Sequence, residues 1–218
     1  MSAIELILVV ISPAWPARRH LGRQLRAAVC VGGVGENLCM VDDLVVAGFV
    51  PQDQQTIDSW FEHPAVGRWF DWYRGGAREV GSGSGDGTRV VRTHRWIVRE
   101  AATARPVAFV AAEVCGAEVP GTREAMEPYF AGLVCVVDPD CHRRGFGPAS
   151  VTAALASPEL RDVSEFRCAV DEANAASRKA VERLGFTDYE TTTQASTVVH
   201  HYRMAGPAAK QADARATR

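Results

Sequence analysis

Arg143-Arg144-Gly145-Phe146-Gly147 carries the strongest chemical signal in the chain. Two arginines supply positive charge, and two glycines let a backbone approach an anion without a Cβ in the way. His142 stands before them, and Pro148 after them suits the first turn of a helix. Upstream, the apolar run 133–137 has the length and β-branching of a buried strand. Asp138-Pro139-Asp140 ends it, because proline gives no N–H to a ladder and biases the preceding residue away from helix. Strand, glycine loop and helix start is the order in which a chain offers several backbone N–H groups to one anion. The segment reads as a pyrophosphate cradle built from the amides of His142, Arg143, Arg144, Gly145, Phe146 and Gly147. The alternative is a polar strand-to-helix turn that holds two glycines.

Spacing excludes two other phosphate loops. A P-loop needs a lysine after its second glycine, and none follows Gly147; a dinucleotide fingerprint needs a third glycine where position 150 is Ser. The glycine cluster 32–37 lacks both a lysine and a following helix signal, so it has little weight as a nucleotide site.

A second pattern lies downstream: Asn174, Ser177 and Val181 lead into Leu184-Gly185-Phe186. The pair, His142-Arg143-Arg144-Gly145-Phe146-Gly147 followed by a strand and then Asn174-x-x-Ser177, resembles the paired signatures of the GNAT acetyltransferase superfamily, in the style of its ribosomal-protein and aminoglycoside branch. The resemblance spans about residues 43–204. It implies acetyl-CoA as co-substrate, an amine as acceptor, and a mixed, twisted α/β (α+β) sheet that splays open beside the cradle strand to receive the coenzyme. It further implies that the pantetheine arm pairs with the edge formed by Cys135, Val136 and Val137, and that Asn174 touches the coenzyme. Capping the helix that begins there is a compatible second role for Asn174.

Acetyl transfer to an amine needs an anchored coenzyme, an unprotonated amine, a donor for the developing oxyanion and a proton for the departing thiolate. Glu113, at the end of a strand, is the first choice of base and Glu190 the second, with a water relay equally open. Many family members carry a tyrosine acid where this chain has Val181. The acid is then Ser177 or water, and Ser177 also reads as a plain helix-surface hydroxyl. His142 replaces the family's usual Gln or Arg, a small departure if the position acts through its amide. Asp138, Asp140, Cys141 and His142 match no common metal-ligand spacing, so no metal is expected.

The elements that must position these residues follow from the rest of the chain. With 218 residues, 47% of them hydrophobic, one substantial core is expected. A net charge of −2 gives no argument for nucleic acid or an anionic membrane surface. The apolar stretch 4–11 is too short to span a bilayer as a helix, and it lacks the preceding basic residues of a signal peptide. No C-x-x-C occurs among the six cysteines, and Cys135 and Cys168 fall in apolar runs. A reducing, cytoplasmic setting fits, with a homodimer left open.

Residues 1–39 are expected to be an appended, poorly ordered segment, with the acetyltransferase domain over 40–204 and a disordered tail over 205–218. Strands are expected at 43–50, 88–99, 106–114, 133–137, 165–170, 187–193 and 198–204. Helices are expected at 53–61, 64–73, from the cradle to about 156, and 175–184. The stretch 115–128 reads as a polar loop, and Gly81 to Gly87 as a flexible linker. Trp60, Phe61, Trp69, Phe70, Trp72 and Tyr73 read mostly as core. The resemblance makes this helix pair one wall of the acceptor site, where Trp69, Trp72, Tyr73, Glu62 and Asp71 are available to a cationic amine.

Overall fold

A computed structural model describes residues 7–8, 39–41, 43–70, 88–122, 124–194 and 197–216. Among these residues nine strands form one sheet: β1 (Ile7–Leu8), β2 (Cys39–Val41), β3 (Leu44–Gly48), β4 (Thr88–Glu100), β5 (Pro106–Glu118), β6 (Ala125–Val137), β7 (Val163–Asp171), β8 (Thr187–Gln194) and β9 (Thr197–Ala205). Their order is β2-β3-β4-β5-β6-β7-β9-β8, with β1 added to β6. Among the described residues only β6 and β7 run parallel, and a helix, α3 (Phe146–Leu155), lies in the connection between them. Such a crossover is what a parallel pair requires.

Alternation divides the strands between two cores. On one face, Val110, Leu133, Cys135, Cys168 and Tyr202 pack with Val151 and Ala154 of α3 and with Val181 and Leu184. The last two flank the end of α4 (Ala175–Arg183). On the other face, Ile97, Phe109, Ala111, Val134 and Val136 meet Ile57, Trp60 and Val66 from α1 (Gln54–Glu62) and α2 (Pro64–Gly67). Covered on both faces, 133–137 is buried at every position, which is why it reads as an unbroken apolar run. Trp60 and Phe70 are core, as expected, and Trp69 packs against their cluster. Asp71, Trp72, Tyr73 and the glycine segment lie outside the described residues.

Three expectations need correction. The polar loop 115–128 shrinks to the turn between β5 and β6, because the strands continue to Glu118 and from Ala125 in register. The amino-terminal segment is not wholly outside the domain: Ile7 and Leu8 pair with Val136 and Cys135, and Cys39 lies within β2. The tail forms α5 (Pro207–Ala216). Pro207 starts it well and its alanines, Lys210 and Gln211 favour helix. No helix among the described residues is long and apolar enough to cross a membrane.

Gly206 sets the joint between β9 and α5. Its amide donates to the Ser164 carbonyl at 2.8 Å, and an added Cβ would sit 2.2 Å from the Val163 carbonyl oxygen. Gly206→Ala is expected to cost about 1–3 kcal/mol of unfolding free energy in urea titration. An unchanged midpoint would contradict this packing.

Candidate active site

The loop between β6 and α3 is fixed from below by Asp138. Its buried carboxylate accepts the Asp140 amide at 3.0 Å and an Arg105 guanidinium N–H at 2.7 Å, and its carbonyl accepts the Cys141 amide at 2.8 Å. His142 is half-buried, with its ring Nε2 3.1 Å from the Val137 carbonyl and its amide 3.5 Å from that of Pro139. The ring ties the loop to the strand, and the amide at 142, counted in the cradle from sequence, is already directed at the Pro139 carbonyl. Arg143 and Gly145 then adopt left-handed φ of 66° and 83°. For Gly145 this is the ordinary use of a glycine. For Arg143 it is a strained choice of about 1 kcal/mol.

Gly145 is the N-cap of α3. Among the described residues, no acceptor takes the amides of 143–147; the first helical bond is Ala149 to the Gly145 carbonyl. Those N–H groups and the positive end of the helix dipole are what an anion needs. Arg143 and Arg144 are exposed beside them. Arg144 lies 4.7 Å over the Phe146 ring and reaches Glu100 at 3.2 Å. The residues present therefore fit a phosphate group. Among the described residues, no cluster of three or more His, Cys, Asp or Glu is placed to hold a metal ion.

Beside this loop the sheet parts. β6 and β7 pair from Tyr129↔Val163 to Gly132↔Arg167, whereas β6 continues to Val137 and β7 to Asp171. On its other edge β6 stays paired with β5 to Val137. The edge beyond the fork is met by β1 at Cys135 and Val136, and β1 also approaches β7 and α4. The Cys135 thiol is fully buried and pushed up to about 12 by desolvation. It is no nucleophile, and this position can serve a ligand only through its backbone. Across the gap, Asn174 is 2% exposed and its Oδ1 accepts the Ser177 amide at 3.1 Å, capping α4 as its sequence predicts.

A model of the acetyltransferase (GNAT) family matches residues 51–186, well over half the chain. The chain belongs to that family. No curated protein matches it. Similar solved structures include aminoglycoside acetyltransferase AAC(6')-Ib in complex with coenzyme A, at 14% identity and a TM-score of 0.53, covering 80% of this chain and 99% of that one. An aminoglycoside N(6')-acetyltransferase from Legionella pneumophila gives 10% identity and 0.54, covering 82% and 98%. A mutant spermidine N-acetyltransferase from Vibrio cholerae gives 11% and 0.52, covering 76% and 95%. At these identities the likeness shows the shared fold.

The family's catalytic candidates separate onto two faces. Ser177 is 0% exposed, so it is not a helix-surface hydroxyl, and it begins the helix packed on the α3 side. Val181, at the place of the family's tyrosine, is likewise 0% exposed and belongs to the core. Glu113 alternates with the core residues Ala112 and Val114 and so projects from the opposite face, half-buried, paired in register with Gly132 at the fork. Glu190, the second choice of base, is exposed on β8. The sequence reading passes over Glu165, Arg167 and Arg203, charged groups that register brings to the Glu113 face. Alternation within 163–171 and 197–205 is the signal that could find them.

Burial pushes the Glu113 carboxyl up, and nearby Arg95 partly offsets this. A carboxyl raised on folding binds its proton more tightly in the native state. Stability therefore falls as pH rises from the ordinary glutamate range through the raised value. Glu113→Gln has no such charge. Relative to wild type, the variant is expected to gain stability across that window and then hold a constant lead, by urea titration at several pH values. A pH-independent difference would contradict a desolvated carboxyl.

Proposed function

We propose that this chain transfers an acetyl group from acetyl-CoA to a primary amine. The observation that carries the reading is the run of amides 143–147 opening at the start of α3, next to the parted edge of β6. In this reading 143–147 bind the pyrophosphate, the backbone of Cys135, Val136 and Val137 lines the pantetheine arm, and Asn174 flanks it. When bound, the coenzyme supplies a thioester whose C–S bond breaks as the new C–N bond forms.

The chain's own groups manage the protons. Glu113 takes a proton from an ammonium or from a relaying water, and its raised carboxyl makes it a stronger base than an ordinary glutamate. Ser177, or water, returns one to the sulfur. An amide donor on the parted edge would stabilise the oxyanion, a contribution worth ~3 kcal/mol in other enzymes. The acceptor class in the reading is a small cationic amine or a protein amino terminus.

A second reading, a non-catalytic acyl-CoA-binding module, is favoured by Val181, whose core packing leaves no phenol at the family's acid position. Thiol release from acetyl-CoA across an amine panel separates the two: amine-dependent release supports the enzyme, and binding without release supports the module. Gly145 has φ of 83° and open space beyond its Cβ position, so Gly145→Glu places a carboxylate where the pyrophosphate is wanted. It is expected to weaken acetyl-CoA binding by tenfold or more in calorimetry. Unchanged affinity would remove the loop from the site.

The reading also sets β1 against the coenzyme, since both claim the backbone at Cys135 and Val136. Replacing Ile7 and Leu8 together by proline in the full chain removes whichever of their adjacent amides faces β6, since hydrogen-bonded and non-bonded pairs alternate along an antiparallel ladder. That variant is expected to bind acetyl-CoA several-fold more tightly. An equal or weaker affinity would mean that the strand and the coenzyme do not compete.

A further inference from the structure

We propose that His142 is a positioning residue: its imidazole, by holding the Val137 carbonyl, fixes the diphosphate cradle relative to the edge assigned to the pantetheine arm. This rests on the acetyl-transfer reading and deepens it, since it concerns how the two halves of that one coenzyme site are kept in register.

The edge sets the geometry. Ala108 and Val137 are paired, and the Asp138 amide donates to the Val107 carbonyl. In an antiparallel ladder that bond marks 108↔137 as a non-bonded pair, whose own N–H and C=O groups turn outward. Val137 therefore presents its amide and carbonyl to the parted side of β6, as does Cys135 two residues earlier. Successive outward sets lie about 7 Å apart along a strand. At Cys135 the edge meets Leu8. At Val137 the carbonyl meets the His142 ring, whose Nε2 is 3.1 Å away. A carbonyl only accepts, so Nε2 carries the proton in this contact.

The ring thus closes the strand-like edge. An extended ligand laid along β6 can pair at Cys135, but it finds the last carbonyl taken and has to leave the edge there. His142 itself is extended, with φ −56° and ψ 152°, and Arg143, the next residue, is the first left-handed position of the cradle. One side chain therefore joins the end of the edge to the start of the anion loop. The Asp138 carboxylate works on the other side of β6, where it holds Arg105 just before β5.

The effect of such a tie follows from a ligand that spans two subsites. Once one half is bound, the other binds intramolecularly, at an effective concentration set by how well the spacing of the subsites matches the ligand. Loosening that spacing lowers affinity for the whole coenzyme and leaves a half-ligand almost unaffected. Damage to the cradle itself would weaken both alike.

The test uses the full chain with coenzyme A, read by calorimetry, and ADP, which carries the diphosphate without the arm, read by amide NMR at 143–147. His142→Leu keeps bulk and removes the donor. It is expected to weaken coenzyme A at least tenfold and ADP by less than twofold. His142→Gln, whose amide N–H has the reach to meet the same carbonyl, is expected to recover most of that loss. If thermal melting shows the leucine variant unfolded, His142→Asn, polar but too short for Val137, takes its place with the same expectation. Undiminished coenzyme A affinity without the ring, an equal loss for ADP, or a glutamine variant as weak as the leucine one would overturn the proposal and leave the acetyl-transfer reading standing. A wild-type chain that binds coenzyme A but shows no ADP shifts at 143–147 would overturn it too. A wild-type chain that binds no coenzyme A would sink the reading itself, and the proposal with it.

Discussion

A buried strand edge must find hydrogen-bond partners, and β6 runs out of them on one side after Gly132. Its residues 133–137 are buried on both faces, so water cannot satisfy their backbone groups, and leaving each group unpaired costs on the order of a lost hydrogen bond. β7 cannot follow, because it diverges toward Asp171 and the cap of α4. Ile7 and Leu8 supply pairing at Val136 and Cys135. In the proposed function the pantetheine amides take that place. The fold thus creates a short, shielded length of backbone, and in the proposed function it exchanges one partner for another.

The cradle loop is the second consequence of the same strand. Asp138, at its end, is a 7%-exposed carboxylate held by Arg105 and by the turn's own amides. This fixed turn delivers the chain into two left-handed residues and then directly into α3. Helix N-termini stabilise an anion by ~0.3–1 kcal/mol when exposed and up to ~2 when partly shielded. That is of the same order as the strain carried at Arg143. In the proposed function a bound anion offsets that strain, which links the loop's backbone to its chemistry.

Much of this was legible from residue types. The glycine turn at 145–147, its flanking strand and the Asn174 cap are local patterns, in which each residue's role depends on neighbours a few positions away. The doubly covered β6 announced itself by unbroken apolarity. What escaped depends on register between distant segments. Nothing in Glu165, Arg167 or Arg203 tells which face each occupies until β6, β7 and β9 are paired. The strand at Ile7 and Leu8 was passed over because its short apolar run has no partner in its own neighbourhood; its reason for pairing lies about 130 residues away, at an edge that opens only in the folded sheet. The carboxyl-terminal helix is not legible in its residues because alanine-rich polar sequence serves both helix and tail, and contact with the sheet decides between them.

The central claim is that the amides of 143–147 and the parted edge at Cys135 and Val136 form one coenzyme site. Backbone amide NMR of the full-length protein, titrated with coenzyme A, examines both at once. The account predicts that the largest shifts fall on 143–147 and on 134–137, with Ile7 and Leu8 changing as they lose their partner. Saturable shifts confined to other surfaces, or none at millimolar ligand, would contradict it.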